Sequence, residues 1–178
     1  MSLSTRCAFG AVRQLGYVVE DLHAAAECWI RSFGAGPFFL IEGLAFPTWS
    51  WMGAPQSLKL DIMLGQYGNV MVELIRPHDR GPSVYAHCLG QAFNSTPHHY
   101  GFLVPSVDEA ADGLGAGPPM SLGMTSAGSR FGYFDTRSSI GVLTELIEET
   151  AETRGLMALS ADAALGWDGK DPVRRITL

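Results

Sequence analysis

Gln14-Leu-Gly-Tyr-Val-Val-Glu-Asp-Leu-His-Ala-Ala25 and His99-Tyr-Gly-Phe-Leu-Val-Pro-Ser-Val-Asp-Glu-Ala110 are two versions of one pattern, and their pairing decides the fold. Each is followed by a hydrophobic run carrying one glutamate, Val70-Met-Val-Glu73-Leu-Ile75 and Val142-Leu-Thr-Glu145-Leu-Ile147. Recurrence of this kind marks an internal repeat, in which one supersecondary unit is used twice. A polar residue holds the same place in each copy, so the repeat nominates Gln14, Glu73, His99 and Glu145 as one shared site.

Working outward, Ala11 to Val19 is β-branched and aromatic enough to read as a strand. Asp21 stands as N-cap before a helical stretch that Gly34 stops. Strands are expected at Phe38 to Glu42, Leu58 to Leu64 and Val70 to Ile75, with Ala54-Pro-Gln and Gly65-Gln-Tyr-Gly68 read as turn-rich separators. The second copy repeats this order. A strand at Tyr100 to Val104 precedes a capping box at Ser106-Val-Asp-Glu109, and a short helix runs into glycines 113, 115 and 117. Strands follow near Met120 to Thr125, Phe131 to Phe134 and Gly141 to Ile147. The reading is an α+β protein of two βαβββ modules, residues 11–76 and 97–148. A connection over 77–96 is expected to hold a short helix within Ser83 to Phe93, and a C-terminal extension, 149–178, is helical to about Leu165. That extension has no counterpart in the repeat and suits a packing appendage, a lid or a dimer contact.

The chain has 178 residues, of which 47% are hydrophobic and 17% charged, enough for a sizeable core. Its net charge of -6, with no basic stripe, argues against nucleic-acid binding, which needs clustered Lys and Arg. Three scattered cysteines do not make a disulfide framework and fit a reducing, cytoplasmic setting. No apolar run reaches the length of a signal peptide or a membrane span, so no membrane partner is expected. Gly113-Leu-Gly-Ala-Gly117 ends a helix instead of bridging strand to helix, so it reads as a cap and not a phosphate loop. Cys88 beside His87 reads as a packed thiol, since sequence adjacency is not nucleophile geometry.

In an extended strand, Met71, Glu73 and Ile75 point one way and Val70, Val72 and Leu74 the other, so Glu73 lies in a strand apolar on both faces. Leu143, Glu145 and Ile147 repeat the arrangement. A lone carboxylate there is costly unless paired or protonated. Gly16 follows Gln14, and Gly101 follows His99, on the candidate ligand's own face, leaving room beside it. An imidazole, an amide oxygen and two carboxylates suit one divalent ion (Zn, Ni, Co, Mn or Fe) with positions left for water or substrate. The bland reading, satisfied core His and Gln and salt-bridged Glu, fits each residue alone better than it fits their coincidence at equivalent positions.

At these residues the chain resembles the vicinal oxygen chelate superfamily, the glyoxalase, bleomycin-resistance and dioxygenase group. Phe131-Gly-Tyr-Phe-Asp135, followed by Gly141 and Glu145, looks like its second-module signature. The resemblance implies a curved mixed sheet around a central cup, with Gln14, Glu73, His99 and Glu145 as metal ligands. It also implies proton transfer next to a carbonyl through an enolate or enediolate, making an isomerase or epimerase, with Glu145 and then Glu73 as the base. The ligand set is similar to that of one glyoxalase I branch, while His98-His99-Tyr-Gly-Phe102 looks more like methylmalonyl-CoA epimerases. The glyoxalase I branch carries Arg four residues after its first ligand and Asn four after its second. Val18 and Pro77 stand there, so glutathione is not the expected substrate. Epimerases usually open the set with His, not Gln, and an extradiol dioxygenase needs a second His. The alternatives are a non-catalytic binder of hydrophobic ligands with the same fold and, further off, a lyase or dioxygenase. Phe39, Trp49, Trp51, Met71 and Tyr133 are the expected substrate-pocket residues for a small carbonyl or thioester compound. His98, His87 and Arg130 lie near the motifs, where structural or solvated roles outweigh substrate contact. By analogy with the family the protein is expected to be a homodimer.

Overall fold

A computed structural model describes residues 9–86 and 96–177. Eleven strands form one curved mixed sheet in the order β11-β2-β5-β6-β1-β7-β10-β9-β8-β3-β4. In the first half lie β1 (Gln14–Val18), β2 (Phe38–Ala45), β5 (Lys59–Tyr67) and β6 (Val70–Pro77). The second half contributes β7 (His99–Val104), β8 (Ser121–Met124), β9 (Arg130–Phe134) and β10 (Leu143–Glu148). The halves meet where β1 runs antiparallel to β7. On either side of that seam, β6 is parallel to β1 and β10 is parallel to β7.

Helix α1 (Leu22–Phe33) starts because the Asp21 carboxylate accepts the His23 and Ala24 N–H groups. It ends at Gly34, whose φ of 66° is the left-handed cap conformation. Its Leu22, Ala25, Ala26 and Trp29 bury one face against Val72 and Leu74 on the convex side of the sheet. Helix α2 (Val107–Leu114), capped by Ser106, covers the same side of the second half, where Val107 meets Val104, Phe134 and Leu146. The concave side carries the largest cluster, including Ile41, Leu60, Ile62, Leu64, Met71, Ile75, Tyr133 and Leu143.

Several elements differ from the sequence reading. Thr48–Trp51 (β3) and Ala54–Pro55 (β4) form a short hairpin where turn-rich chain is expected, and β3 pairs with β8 of the other half. Prolines 47 and 55 and Gly53 break the alternation that reveals a strand, and only the partner β8 makes this one. The piece Gly65-Gln-Tyr belongs to β5, and the turn itself lies at 68–69. One helical turn, α3 (Arg137–Ile140), precedes β10. Ser83 to Ala86 form a turn, and the rest of the helix expected in the connection, with His87 and Cys88, lies outside the described residues.

The extension is helical over α4 (Ala151–Ala164), whose Thr150 caps the Thr153 N–H. Its Leu156 and Met157 pack on the concave cluster, so α4 roofs the cup. The chain then returns as β11 (Val173–Arg175), parallel to β2 at the sheet edge. No described helix is long and apolar enough to cross a membrane.

Candidate metal centre

Gln14, Glu73, His99 and Glu145 lie on β1, β6, β7 and β10, four neighbours in the centre of the sheet. Their registers give two rows across those strands. One runs Glu73, Gly16, His99, Leu143; the other runs Met71, Gln14, Gly101, Glu145. The rows interchange under the repeat: glutamate with glutamate, glycine with glycine, His99 with Gln14. Residues in register point to one face, so all four polar side chains enter the cup.

The glycines explain how the groups meet. Adjacent strands are about 4.8 Å apart, so Glu73 and His99 stand two strands from each other and approach only if the residue between them has no side chain. A Cβ on Gly16 would sit 1.8 Å from His99 Cε1, and one on Gly101 would sit 2.8 Å from Gln14 Cβ. The space beside each ligand thus belongs to the ligand of the other copy.

One donor atom each from Glu73, His99 and Glu145 lies within 4.8 Å of the other two. His99 Nε2 is 3.1 Å from Glu145 Oε2 and 3.5 Å from Glu73 Oε2. His99 is wholly buried, yet neither its Nε2 nor Glu145 Oε2 reaches hydrogen-bond geometry with any described group. Orphaned buried polar atoms are rare and call for an explanation. Here they converge on one point. The Gln14 amide, also buried, stands beside Glu73 and holds its carboxyl down against the larger effect of burial.

The electrostatics call for positive charge at that point. Burial chiefly, and then the Glu145 charge, push the Glu73 carboxyl up to about 8. Burial pulls the His99 imidazole down, but the Glu145 and Glu73 carboxylates outweigh it and the net direction is upward. Both directions favour a proton on Glu73 or His99 when no cation is bound. A divalent ion would satisfy the same four groups, and the donor set of one imidazole, two carboxylates and an amide fits one.

His98 sets the His99 tautomer. Its Nε2 lies 3.0 Å from the Val84 carbonyl, which only accepts, so that nitrogen carries the proton. With His98 neutral, its Nδ1 accepts from His99 Nδ1–H, 3.0 Å away, the tautomer that leaves His99 Nε2 open to a proton or a cation between the carboxylates. His98 is therefore buried support behind His99. Arg130 pairs on the outside with Asp108 through two contacts, at 2.8 and 3.0 Å.

A cavity of roughly 770 Å3 opens over the four residues, of which Gln14, Glu73 and Glu145 are on its wall. Met71 and Tyr133 are on the wall, whereas Phe39, Trp49 and Trp51 are not. Trp49 is buried behind it, stacked on Phe46 and Tyr85. Phe39 is buried near the sheet edge with the Arg174 guanidinium 5.9 Å above its ring, and Trp51 packs beside the concave cluster on the β3 hairpin. An aromatic tract gives composition but not direction, so sequence does not separate wall from backing. Tyr85 joins the wall from the connection, its hydroxyl 3.0 Å from that of Tyr133. Burial and the nearby glutamates hold both phenols well above their usual value, so both are neutral hydrogen-bonding groups. Nothing in the sequence around Tyr85 repeats, and no signal marks it.

Residues 13–117, more than half of the chain, match the family described as the Glyoxalase/Bleomycin resistance protein/Dioxygenase superfamily. No curated protein matches the sequence. Among solved structures, a hypothetical protein from Bacillus halodurans C-125 aligns over 79% of this chain and 94% of its own, at 17% identity and a TM-score of 0.52. A methylmalonyl-CoA epimerase from Mycobacterium tuberculosis aligns over 86% and 97%, at 18% identity and a TM-score of 0.53. At these identities the likeness is one of fold.

Proposed function

We propose, on the premise that this chain belongs to the glyoxalase/bleomycin resistance/dioxygenase superfamily, that it is a metal-dependent isomerase or epimerase moving a proton beside a carbonyl. The observation that carries the reading is the convergence of Glu73 and Glu145, from equivalent strands of the two halves, on the unsatisfied Nε2 of His99. His99, Glu73, Glu145 and Gln14 would hold the ion. When bound, it supplies Lewis acidity toward a carbonyl oxygen, which lowers the cost of the neighbouring carbanion.

The chain's own residues do the rest. Inversion by two groups has one remove the proton from the tetrahedral carbon beside the carbonyl, leaving a planar enolate, and the other deliver a proton to the opposite face. A glutamate from each half of a twofold repeat supplies such a pair. We assign Glu145 as the base and Glu73 as its counterpart. Glu145 is 5% exposed, so water competes little for it. The Tyr85 and Tyr133 hydroxyls, neutral and on the wall, can donate to a substrate oxygen. The His98 contact keeps the His99 ring in place throughout.

The test is deuterium uptake from solvent at the carbon beside the carbonyl, screened by mass spectrometry over ketones and acyl thioesters with Zn-, Co- or Mn-loaded protein. Uptake is expected with the wild type, falling by about 10²–10⁴ in Glu145→Gln with metal retained. Full exchange in metal-loaded Glu145→Gln would remove Glu145 from the role. The size and apolarity of the cavity also suit a non-catalytic binder of hydrophobic ligands, and binding with no exchange on any compound would favour that second reading.

A further inference from the structure

The wall of the cavity limits what can occupy it. Apart from the polar centre it is built mainly of aliphatic and aromatic side chains, among them Ile62, Leu64, Phe131, Ile147, Leu156 and Met157. Among the described residues its charged side chains are four carboxylates, Glu42, Glu73, Glu145 and Glu152, against one guanidinium, Arg175. Arg175 stands at the exposed rim, 2.9 Å from Glu42. Glu152 is held by the Thr125 and Ser129 hydroxyls at 2.5 and 2.7 Å, so its carboxylate is fixed in place on the wall. A divalent ion at the centre would offset two of those charges and leave none over for an anion. The volume, about 25 times that of one liquid water, admits a molecule of drug size.

The roof narrows the choice further. Leu156 and Met157 from α4, and Ile176 beyond β11, belong to the extension that has no counterpart in the repeat, and all three face the chamber. They add apolar surface over the cup and no cation. A phosphate-bearing thioester carries several negative charges, for which the described residues of the wall offer only the Arg175 guanidinium, paired with Glu42.

We infer that the substrate is an uncharged, predominantly hydrophobic carbonyl compound, seated between the sheet and α4, and not a polyanionic thioester. This rests on the reading above for the carbonyl, while the chamber's preference for neutral apolar bodies stands independently of the metal.

The experiment is calorimetric titration of the full chain, Zn-loaded and separately EDTA-treated, with 1-hydroxy-2-acetonaphthone as neutral ketone and octanoyl-CoA as thioester. The expected result is ketone binding at least about tenfold tighter than thioester binding in both forms of the protein. Met157→Asp, placing a charge on the roof, should weaken ketone binding about tenfold or more at unchanged Zn content. Leu156→Trp, which fills the chamber without charge, should do the same and keeps the test decisive if Met157→Asp does not fold. Thioester binding equal to or tighter than ketone binding would overturn the inference. So would undetectable ketone binding, or ketone binding indifferent to the folded roof variants. Ketone binding in a protein that takes up no Zn would instead refute the metal reading and leave this one standing.

Discussion

Replacing Gly16 by alanine tests the glycine-spaced rows with one methyl group. The new Cβ would lie 1.8 Å from His99 Cε1, 2.3 Å from Nδ1 and 2.4 Å from Nε2. Ordinary contact begins near 3.4 Å, so the ring has to retreat by roughly 1.6 Å. It has nowhere to go, because His99 is wholly buried and its Nδ1 is tied to His98 at 3.0 Å. Overpacking of this kind costs about 1–3 kcal/mol of stability. Metal ligands work only within about 0.2 Å of their proper distance, so affinity should fall at least about 100-fold. The assay is Zn and Co titration by calorimetry beside thermal melts of the same samples. Gly155→Ala on α4, where a Cβ meets nothing within 4 Å, is the control and should be neutral or stabilising by up to about 1 kcal/mol. A Gly16→Ala protein that binds metal like the wild type and melts at the same temperature would show that His99 does not depend on the gap across β1.

Other outcomes follow from the same geometry. His98→Phe removes the partner of both His99 Nδ1 and the Val84 carbonyl; metal affinity should drop about 10–100-fold, and an unchanged Zn titration would refute the tautomer argument. Asp61 is buried, and although burial alone would raise it, the Gly43 N–H, Arg76 and His78 bring its carboxyl down to about 2. A depressed carboxylate contributes stability above its unfolded value near 3.8 and loses it as pH falls from there through about 2. Wild type should therefore weaken by about 2 kcal/mol over that window in urea melts, and Asp61→Asn should lose most of the difference at neutral pH. An Asp61→Asn protein as stable as wild type at pH 7 would mean that the network is not a net contributor.

Much of the architecture is readable because the repeat states it twice. Each copy carries its own helix cap, Asp21 or Ser106, and each glutamate strand is apolar on both faces, which only a sheet covered on both sides accommodates. The four polar positions picked out by the repeat fall on four adjacent strands because symmetry puts the first and last strand of each copy at the seam. What resisted reading is what the repeat does not contain. The β3 hairpin is a strand only because β8 pairs with it, and Tyr85 reaches the wall from a connection with no periodicity. Trp49 and Met71 look equally suited to a pocket in sequence, and tertiary packing alone turns Trp49 behind the wall. In sequence the glycines read as space beside a ligand, but which group fills that space depends on cross-strand register, a long-range quantity.

Glu73, His99 and Glu145, with Gln14, are proposed to form a site for one divalent ion. Its most direct test is elemental analysis of purified protein after loading with Zn, Co or Mn and gel filtration, wild type beside His99→Ala and Glu145→Ala. Close to one ion per chain is expected in the wild type, with loss in both folded variants. Wild-type protein that retains no ion after loading with any of the three, or folded variants that retain it undiminished, would contradict it.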